Sequence, residues 1–408
     1  MKDIVERFLS YTRIDTTSDE ECLDTPSCSN QFILADQLVS ELKELGIEDA
    51  HRDEHAFVYG TLLSNRDYSC DTVGFLAHMD TSNATSGFDV KGRIIENYDG
   101  NDIYLGNDIY TTVADFPQIT SLKGKTIIVT DGKTLLGADD KAGVAIIMDY
   151  IQRLVEHPEI PHGTIKVCFT PDEEIGRGID SIDLKEFVCD YAYTLDGGTV
   201  NDVTYENFNA ATAIVKVEGV SIHPGSAKGK MINASQVLMD FHALLPVFER
   251  PEFTEGREGF NHLIQMEGTC EKATSVYIIR NHDAAEFERQ KEEFRIAEKH
   301  INSMYGKDLL KVEIIDSYRN MVEEFKDRMY IVDLAAEAIR LEGYEPTYTP
   351  IRGGTDGSKL TFMGVPTPNL GTGGMFFHGN HELLCVEDMK EMVNILEKLG
   401  TLIAERTR

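Results

Sequence analysis

Residues 126–156 read TIIVTDGKTLLGADDKAGVAIIMDYIQRLVE. The opening TIIVT has the β-branched, apolar character of a strand, and a polar, glycine-punctuated loop follows it. From Gly143 onward apolar residues recur at helical spacing, which predicts a helix over 143–156. The same style appears on both sides of this stretch. Strand runs stand at 72–78 (TVGFLAH), 165–170 (IKVCFT) and 191–195 (YAYTL). Amphipathic helices are expected near 3–12 and over 29–45, the second ending at Gly46. Short apolar strands alternating with helices predict an α/β fold: a mostly parallel sheet with helices on both faces.

The pattern changes near residue 206. Residues 211–219 (ATAIVKVEG) alternate like a half-buried strand, and a helical stretch over 234–248 follows. A strand near 275–280, a charged helix over 286–303 and a strand at 310–315 complete the group. Strand–helix–strand–strand–helix–strand predicts a small α+β sandwich over 207–320, inserted into a larger domain made of 1–206 and 321–408. After the insertion the α/β style resumes with helices over 332–342 and 386–405. A chain of 408 residues is long enough for two such domains.

Composition narrows the function classes. The hydrophobic fraction of 41% and charged fraction of 27% are ordinary for a soluble globular protein. A formal charge of −31 argues against binding DNA, RNA or anionic lipid, all of which reward a basic face. The seven cysteines, at 22, 28, 70, 168, 189, 270 and 385, form no CxxC pair and read as reduced thiols of the cytoplasm. No uninterrupted apolar stretch suits a signal peptide or a membrane span.

Five short constellations carry chemistry, four of them just after an expected strand, where α/β sheets gather their ligands. In His78-Met79-Asp80, residues two apart share a face, so His78 can ligate a metal while Asp80 fixes its tautomer. In Gly137–Gly143 a pair, Asp139 and Asp140, precedes the helix; a helix cap accounts for one aspartate but not both. Asp172, Glu173 and Glu174 place three carboxylates side by side, a costly arrangement unless a cation is present or the loop is fully solvated. Asp196 ends an apolar run before two glycines, as a turn residue or a ligand would. Last, His378 stands near His381 and Glu382, either of which can support a site or cap a helix. Singly, each string has a plain structural explanation. Together, two histidines, two aspartates and a glutamate, with a spare glutamate and aspartate, are the inventory of two tetrahedral N/O zinc sites sharing a bridge.

The order and spacing of AHMDT, DGKTLLGADDKAG, FTPDEEIGRG, YTLDGG, NFNAA, HPGSAKGKMINA, IRGGTDGS and HGNHE carry a resemblance that runs nearly end to end. The chain resembles the peptidase T branch of the co-catalytic zinc metallopeptidases, which also include carboxypeptidase G, aminoacylase and succinyl-diaminopimelate desuccinylase. The resemblance implies two Zn2+ ions per subunit, one held by His78, Asp139 and Asp196 and the other by Asp139, Glu174 and His378. Asp139 and not Asp140 is implied as the bridge, because the family's aspartate stands two positions before the lysine. By the same likeness Asp80 orients His78, Glu173 is the general base, and His223 of the inserted lid and dimerisation domain stabilises the oxyanion. Asn233, Arg280 and Arg352 are implied as substrate-positioning groups; an arginine clamps a carboxylate with two parallel bonds, although a surface salt bridge would also occupy one. The implied protein is a cytoplasmic homodimer that cleaves small peptides, a tripeptide aminopeptidase. A dipeptidase, carboxypeptidase or N-acyl amino acid deacylase on the same metals is the close alternative, and a metal-free binding protein the distant one. Residues 22–30 and 81–92 match the family less readily and are expected to bear on substrate preference.

Overall fold

In the computed structural model, which describes residues 2–406, every residue of the strand Val73–His78 is buried. That strand lies at the middle of a seven-stranded sheet. The strand order is His51–Arg52, Val58–Leu62, Ile165–Thr170, Val73–His78, Tyr191–Gly197, Asn369–Gly371, Val203–Thr204. Its four inner strands from Ile165–Thr170 to Asn369–Gly371 run parallel, and antiparallel pairings finish both edges. Continuous apolar runs are what such inner strands require, because both faces are covered. Phe75 packs against Tyr150 and Tyr193, beneath the helix Ala138–Glu156. Its neighbour Leu76 points the other way, into a cluster with Phe57, Cys168, Phe187 and Leu360.

The strand expected at 126–130 is not part of that sheet. Ile127–Val129 pairs instead with Arg93–Ile95 and Leu383–Cys385, in a separate four-stranded antiparallel sheet closed by Gly374–Met375. Ile127 and Val129 face an apolar cluster with Ile103, Leu105, Ile119 and Leu383. The physical reason is local. Three apolar residues suffice for either sheet, and the partners that decide are only two or three residues long. The consequence is functional, since Val129 is paired with Leu383 and the loops carrying Asp139 and His378 leave from this register.

The following helix is assigned from Ala138, five residues before its regular apolar period begins, and Asp139 and Asp140 inside it are non-helical. The Asp140 carboxylate accepts the Gly143 N–H at 3.2 Å, so Asp140 caps the regular helix. Gly143 itself admits no side chain: a Cβ there would lie 2.0 Å from the Leu195 carbonyl oxygen.

By compactness the chain forms two units. The first comprises Met1–Tyr205, Glu324–Thr349 and Thr355–Arg408, and the second Glu206–Glu323 with Pro350–Gly354. The second is a four-stranded antiparallel sheet in the order Phe260–Gly268, Lys272–Asn281, Asn209–Glu218, Leu310–Tyr318. Asn209–Glu218 alternates buried and exposed residues. Its inward Ala211, Ala213, Val215 and Val217 pack with Val237, Phe241, Phe294 and Ile301 from the helices Ala234–Leu244 and Ala284–Tyr305. The first of these helices stops at Leu244, short of the expected 248, because Pro246 excludes the helical conformation just before it. Pro350–Gly354 joins this unit through the Ile351 N–H, which bonds the Glu206 carbonyl at 2.9 Å. Among the described residues, no helix is long and apolar enough to cross a membrane.

Candidate metal centre

His78 closes the strand Val73–His78, and Asp196 lies near the end of its parallel neighbour Tyr191–Gly197. Glu174 sits in the short turn Glu173–Ile175 after the strand Ile165–Thr170. All three therefore collect at the carboxyl ends of parallel strands. Asp139 and His378 come from the loops of the small sheet. His78 Nε2 lies 3.0 Å from Asp139 Oδ1 and 3.8 Å from Asp196 Oδ1. His378 Nε2 lies 3.1 Å from Asp139 Oδ2 and 3.0 Å from Glu174 Oε2. Each oxygen of Asp139 thus faces a different imidazole, the disposition a bridging carboxylate requires.

Ligand atoms of His78, Asp139 and Glu174 lie within 4.8 Å of one another, as do those of His78, Asp140 and Asp196. Asp140 is nonetheless a poor candidate. Its two oxygens are committed to the backbone N–H groups of His78 and Gly143, both at 3.2 Å. Asp139 makes no such backbone commitment through its carboxylate. Of the paired aspartates, Asp140 shapes the backbone and Asp139 faces the two imidazoles.

A frame of buried carboxylates holds these groups. His78 Nδ1 lies 3.1 Å from the Asp80 carbonyl oxygen and 3.3 Å from its Oδ1, which keeps Nε2 directed at Asp139. The Asp80 carboxylate also accepts the N–H groups of Glu173 and Glu174, at 3.0 and 3.1 Å, and the Ser18 hydroxyl. Glu382 is buried and accepts the N–H groups of Leu136, Gly137 and Asp139 at 2.6, 2.9 and 3.0 Å. It holds the Asp139 loop and does not cap the nearby helix Val386–Glu405, whose N-terminus has no side-chain cap bond. His381 turns elsewhere, bonding Thr111 Oγ1 at 2.9 Å and lying against the Phe116 ring.

The electrostatics follow from this crowding. Burial pushes the Asp139 carboxyl up, but hydrogen bonds from His378 and His78 outweigh it and hold the group well below the usual carboxylate range. Burial disfavours a charged His78, yet Asp139 and Asp80 raise its proton affinity overall. Asp139 and Glu174 push His378 up to about 10. Burial raises Glu173, and Asp196, Asp356 and Glu174 add to it against the opposing pull of His78. Burial raises Asp196 and Glu174 as well. Such a cluster favours any added cation. Glu174 supplies an independent test of fit: its Oε1 is buried and has no hydrogen-bond partner among the described residues. An unsatisfied carboxylate oxygen there is costly, and a metal ion would satisfy it. The donors are all nitrogen and oxygen, the set suited to zinc, cobalt or manganese.

Asp356 was visible in the sequence only as part of a longer motif. Its carboxylate is buried, accepts the Thr170 hydroxyl at 2.7 Å, and packs so closely on Gly178 that a Cβ there would fall 2.2 Å from Oδ1. Glu382 had a faint signal, as an acid beside a histidine. The donors it serves, 243 to 246 residues earlier in the chain, gave none.

The remaining sequence-based candidates belong to the second unit. His223 is exposed, and its Nδ1 accepts the Gly225 N–H at 3.1 Å, which leaves Nε2 as the donor. Asn233 caps the helix Ala234–Leu244, accepting from Ser235 and Gln236. Arg280 bonds the carbonyls of Ala211 and Ile279 and lies over the Tyr318 ring. Arg352 bonds the carbonyls of Gly256 and Glu258 and lies over Phe208 and Phe260. Phe260 is also the cross-strand partner of Arg280. Among the described residues neither arginine has a carboxylate partner, in a chain with 70 acidic residues.

Comparison with known proteins gives a consistent picture. Residues 129–401 match Peptidase family M20/M25/M40. The chain is 48% identical over 408 residues to a protein named Peptidase T from Caldanaerobacter subterraneus subsp. tengcongensis, covering 100% of both. It is 50% identical over 407 residues to a Peptidase T from Desulfitobacterium hafniense, covering 99% of both. Its fold is similar to that of an aminopeptidase PepT from Bacillus cereus, with a TM-score of 0.78 at 23% identity over 98% of each chain. A tripeptidase from Staphylococcus aureus gives a TM-score of 0.78 at 20% identity, over 99% of this chain and 98% of that one.

Proposed function

The chain belongs to peptidase family M20/M25/M40, and from that premise we propose that it is a metal-dependent aminopeptidase releasing the N-terminal residue of tripeptides. The observation that carries the reading is Asp139, whose two oxygens face His78 and His378 separately, beside a buried Glu174 oxygen with no partner. His78, Asp139 and Asp196 would hold one ion, and Asp139, Glu174 and His378 the other; we take both to be zinc. When bound, such a pair supplies Lewis acidity to the scissile carbonyl and lowers the pKa of the attacking water.

The protein's own groups do the rest. Asp80 fixes the His78 ring and, through the N–H groups of Glu173 and Glu174, the acidic turn. Glu173 accepts the proton of the attacking water and returns it to the departing amine. In the metal-free cluster burial and neighbouring carboxylates raise its proton affinity, and bound cations would lower it. We assign His223 to the developing oxyanion, and Asn233, Arg280 and Arg352 to positioning the peptide and its C-terminal carboxylate. The lack of acidic partners for both arginines among the described residues supports the last assignment. We further assign the second unit as a lid and dimerisation domain of a cytoplasmic homodimer acting on small peptides.

The test is a rate panel on free and N-acetylated tripeptides with metal content measured. Chelation should abolish hydrolysis and about two zinc ions per chain restore it. Acetylation should abolish it as well. Hydrolysis that persists on the acetylated peptide would identify a carboxypeptidase or deacylase, and activity indifferent to chelation would end the metal reading. Glu173→Gln should keep its metal yet lose turnover by ~10²-fold or more.

A further inference from the structure

Residues 14–31 carry none of the five chemical motifs, yet they reach three of them. The Ile14 carbonyl accepts Lys141 Nζ at 2.8 Å, just beyond the paired aspartates. Thr16 Oγ1 donates to the Met79 carbonyl at 2.8 Å, and the Ser18 N–H to that of Thr81 at 3.1 Å. Ser18 also donates its hydroxyl to Asp80, the residue that holds His78. Further along, the segment grips Asp172. Ser27 donates its N–H and its hydroxyl to that carboxylate at 2.7 and 2.5 Å, and Gln31 Nε2 donates at 2.9 Å. Gln31 Oε1 accepts the Asp172 N–H in return, at 3.3 Å.

Asp172 is fully buried, and with φ 51° and ψ 27° it stands in the left-handed region. That region is disfavoured for residues with a side chain, so a specific grip is needed to keep one there. The turn it begins carries Glu173 and Glu174, whose N–H groups are bound by Asp80. Asp80 holds the turn from the strand side and Asp172 from behind, and residues 14–31 bond both.

We propose that residues 14–31 form a strap in which Ser27 and Gln31, by gripping Asp172, act as positioning residues for the turn bearing Glu173 and Glu174. The strap thereby aims a general base and a metal ligand together. The roles of those two glutamates rest on the function proposed above; the grip on Asp172 does not.

The test compares Ser27→Ala, Ser27→Thr, Gln31→Met and the Ser27→Ala/Gln31→Met double variant in the full-length protein. Zinc affinity is read by chelator competition, folding by circular dichroism, and kinetics on a tripeptide. The double variant should lose about 10-fold or more in both kcat and zinc affinity, with KM within about twofold, because outer groups that orient ligands usually matter to that extent. Ser27→Thr keeps the hydroxyl and should recover most of what Ser27→Ala loses. Asp172→Asn should behave like the double variant, and if it fails to fold the Ser27 and Gln31 variants decide alone. A folded double variant whose kcat and zinc affinity both stay within twofold of wild type overturns the strap, even if its melting temperature falls. Should the wild type hydrolyse no peptide, the proposed function fails while zinc affinity still decides the strap.

Discussion

Replacing Glu382 by glutamine tests how the Asp139 loop is held. Oε2 accepts the N–H groups of Leu136 and Gly137 at 2.6 and 2.9 Å, while Oε1 accepts that of Asp139 at 3.0 Å. Glutamine keeps one acceptor. If its carbonyl takes the Oε2 position, its NH2 group meets the Asp139 N–H donor to donor. One charge-assisted bond is then lost outright and two become neutral ones. At about 1.5–3 kcal/mol for a bond to a charged group and about 1 for a neutral one, the gross loss comes to about 2.5–7 kcal/mol of metal-free stability, which relief of the buried charge offsets in part. Asp139 then drifts from its place between His78 and His378, and zinc affinity should fall roughly 10- to 100-fold. Denaturant titration of the metal-free protein and chelator competition measure the two effects. Wild-type zinc affinity in a folded Glu382→Gln protein would show that the loop does not depend on these bonds, and the argument would fail.

Other outcomes follow from the same structure. Gly143→Ala drives a Cβ to 2.0 Å from the Leu195 carbonyl oxygen, so it should destabilise by about 1–3 kcal/mol or more, read by denaturant midpoint. Burial pushes Asp356 up to about 7, so the folded protein retains a proton that the unfolded chain releases near 3.8. Its contribution to stability therefore falls as pH rises between those values. Asp356→Asn should flatten that slope and gain stability relative to wild type above pH ~7, and denaturation midpoints at both ends of the range would expose an unchanged slope. Arg280→Met and Arg352→Met should raise KM for free tripeptides about 10-fold while leaving C-terminal amides little affected. Equal losses on both substrates would remove the carboxylate from the account.

Long periodic elements were legible in the sequence because their pattern is local. The final helix Val386–Glu405 and the strand Ile165–Thr170 have the bounds that periodicity gives. The small sheet was not legible. Arg93–Ile95, Gly374–Met375 and Leu383–Cys385 are too short to show a period, and the sheet pairs Cys385 with Ile127, far back in the chain. The candidate centre could be read because carboxylates crowded at strand ends are conspicuous. The division of labour between Asp139 and Asp140 came from resemblance, and its physical basis appears only in three dimensions. Asp140 is occupied by the N–H groups of His78 and Gly143, and Asp139 is not. Glu382 and Asp172 act through backbone donors from distant segments, which no local string reveals.

The pairing of Val129 with Leu383 sets a rule for insertions and deletions. Two loops leave that rung, one ending at Asp139 and the other containing His378, and they are cross-braced. Thr130 Oγ1 donates to the Asn380 carbonyl, and Asn380 Nδ2 to that of Gly132. Lengthening either loop by one residue shifts one proposed ligand against the other by up to a ~3.8 Å Cα step, more than any metal coordination shell tolerates. Loop-length libraries should therefore spare 130–138 and 376–382 and place their variation at exposed sites such as 67–69. Within functional relatives, the two spared loops should change length only as a pair.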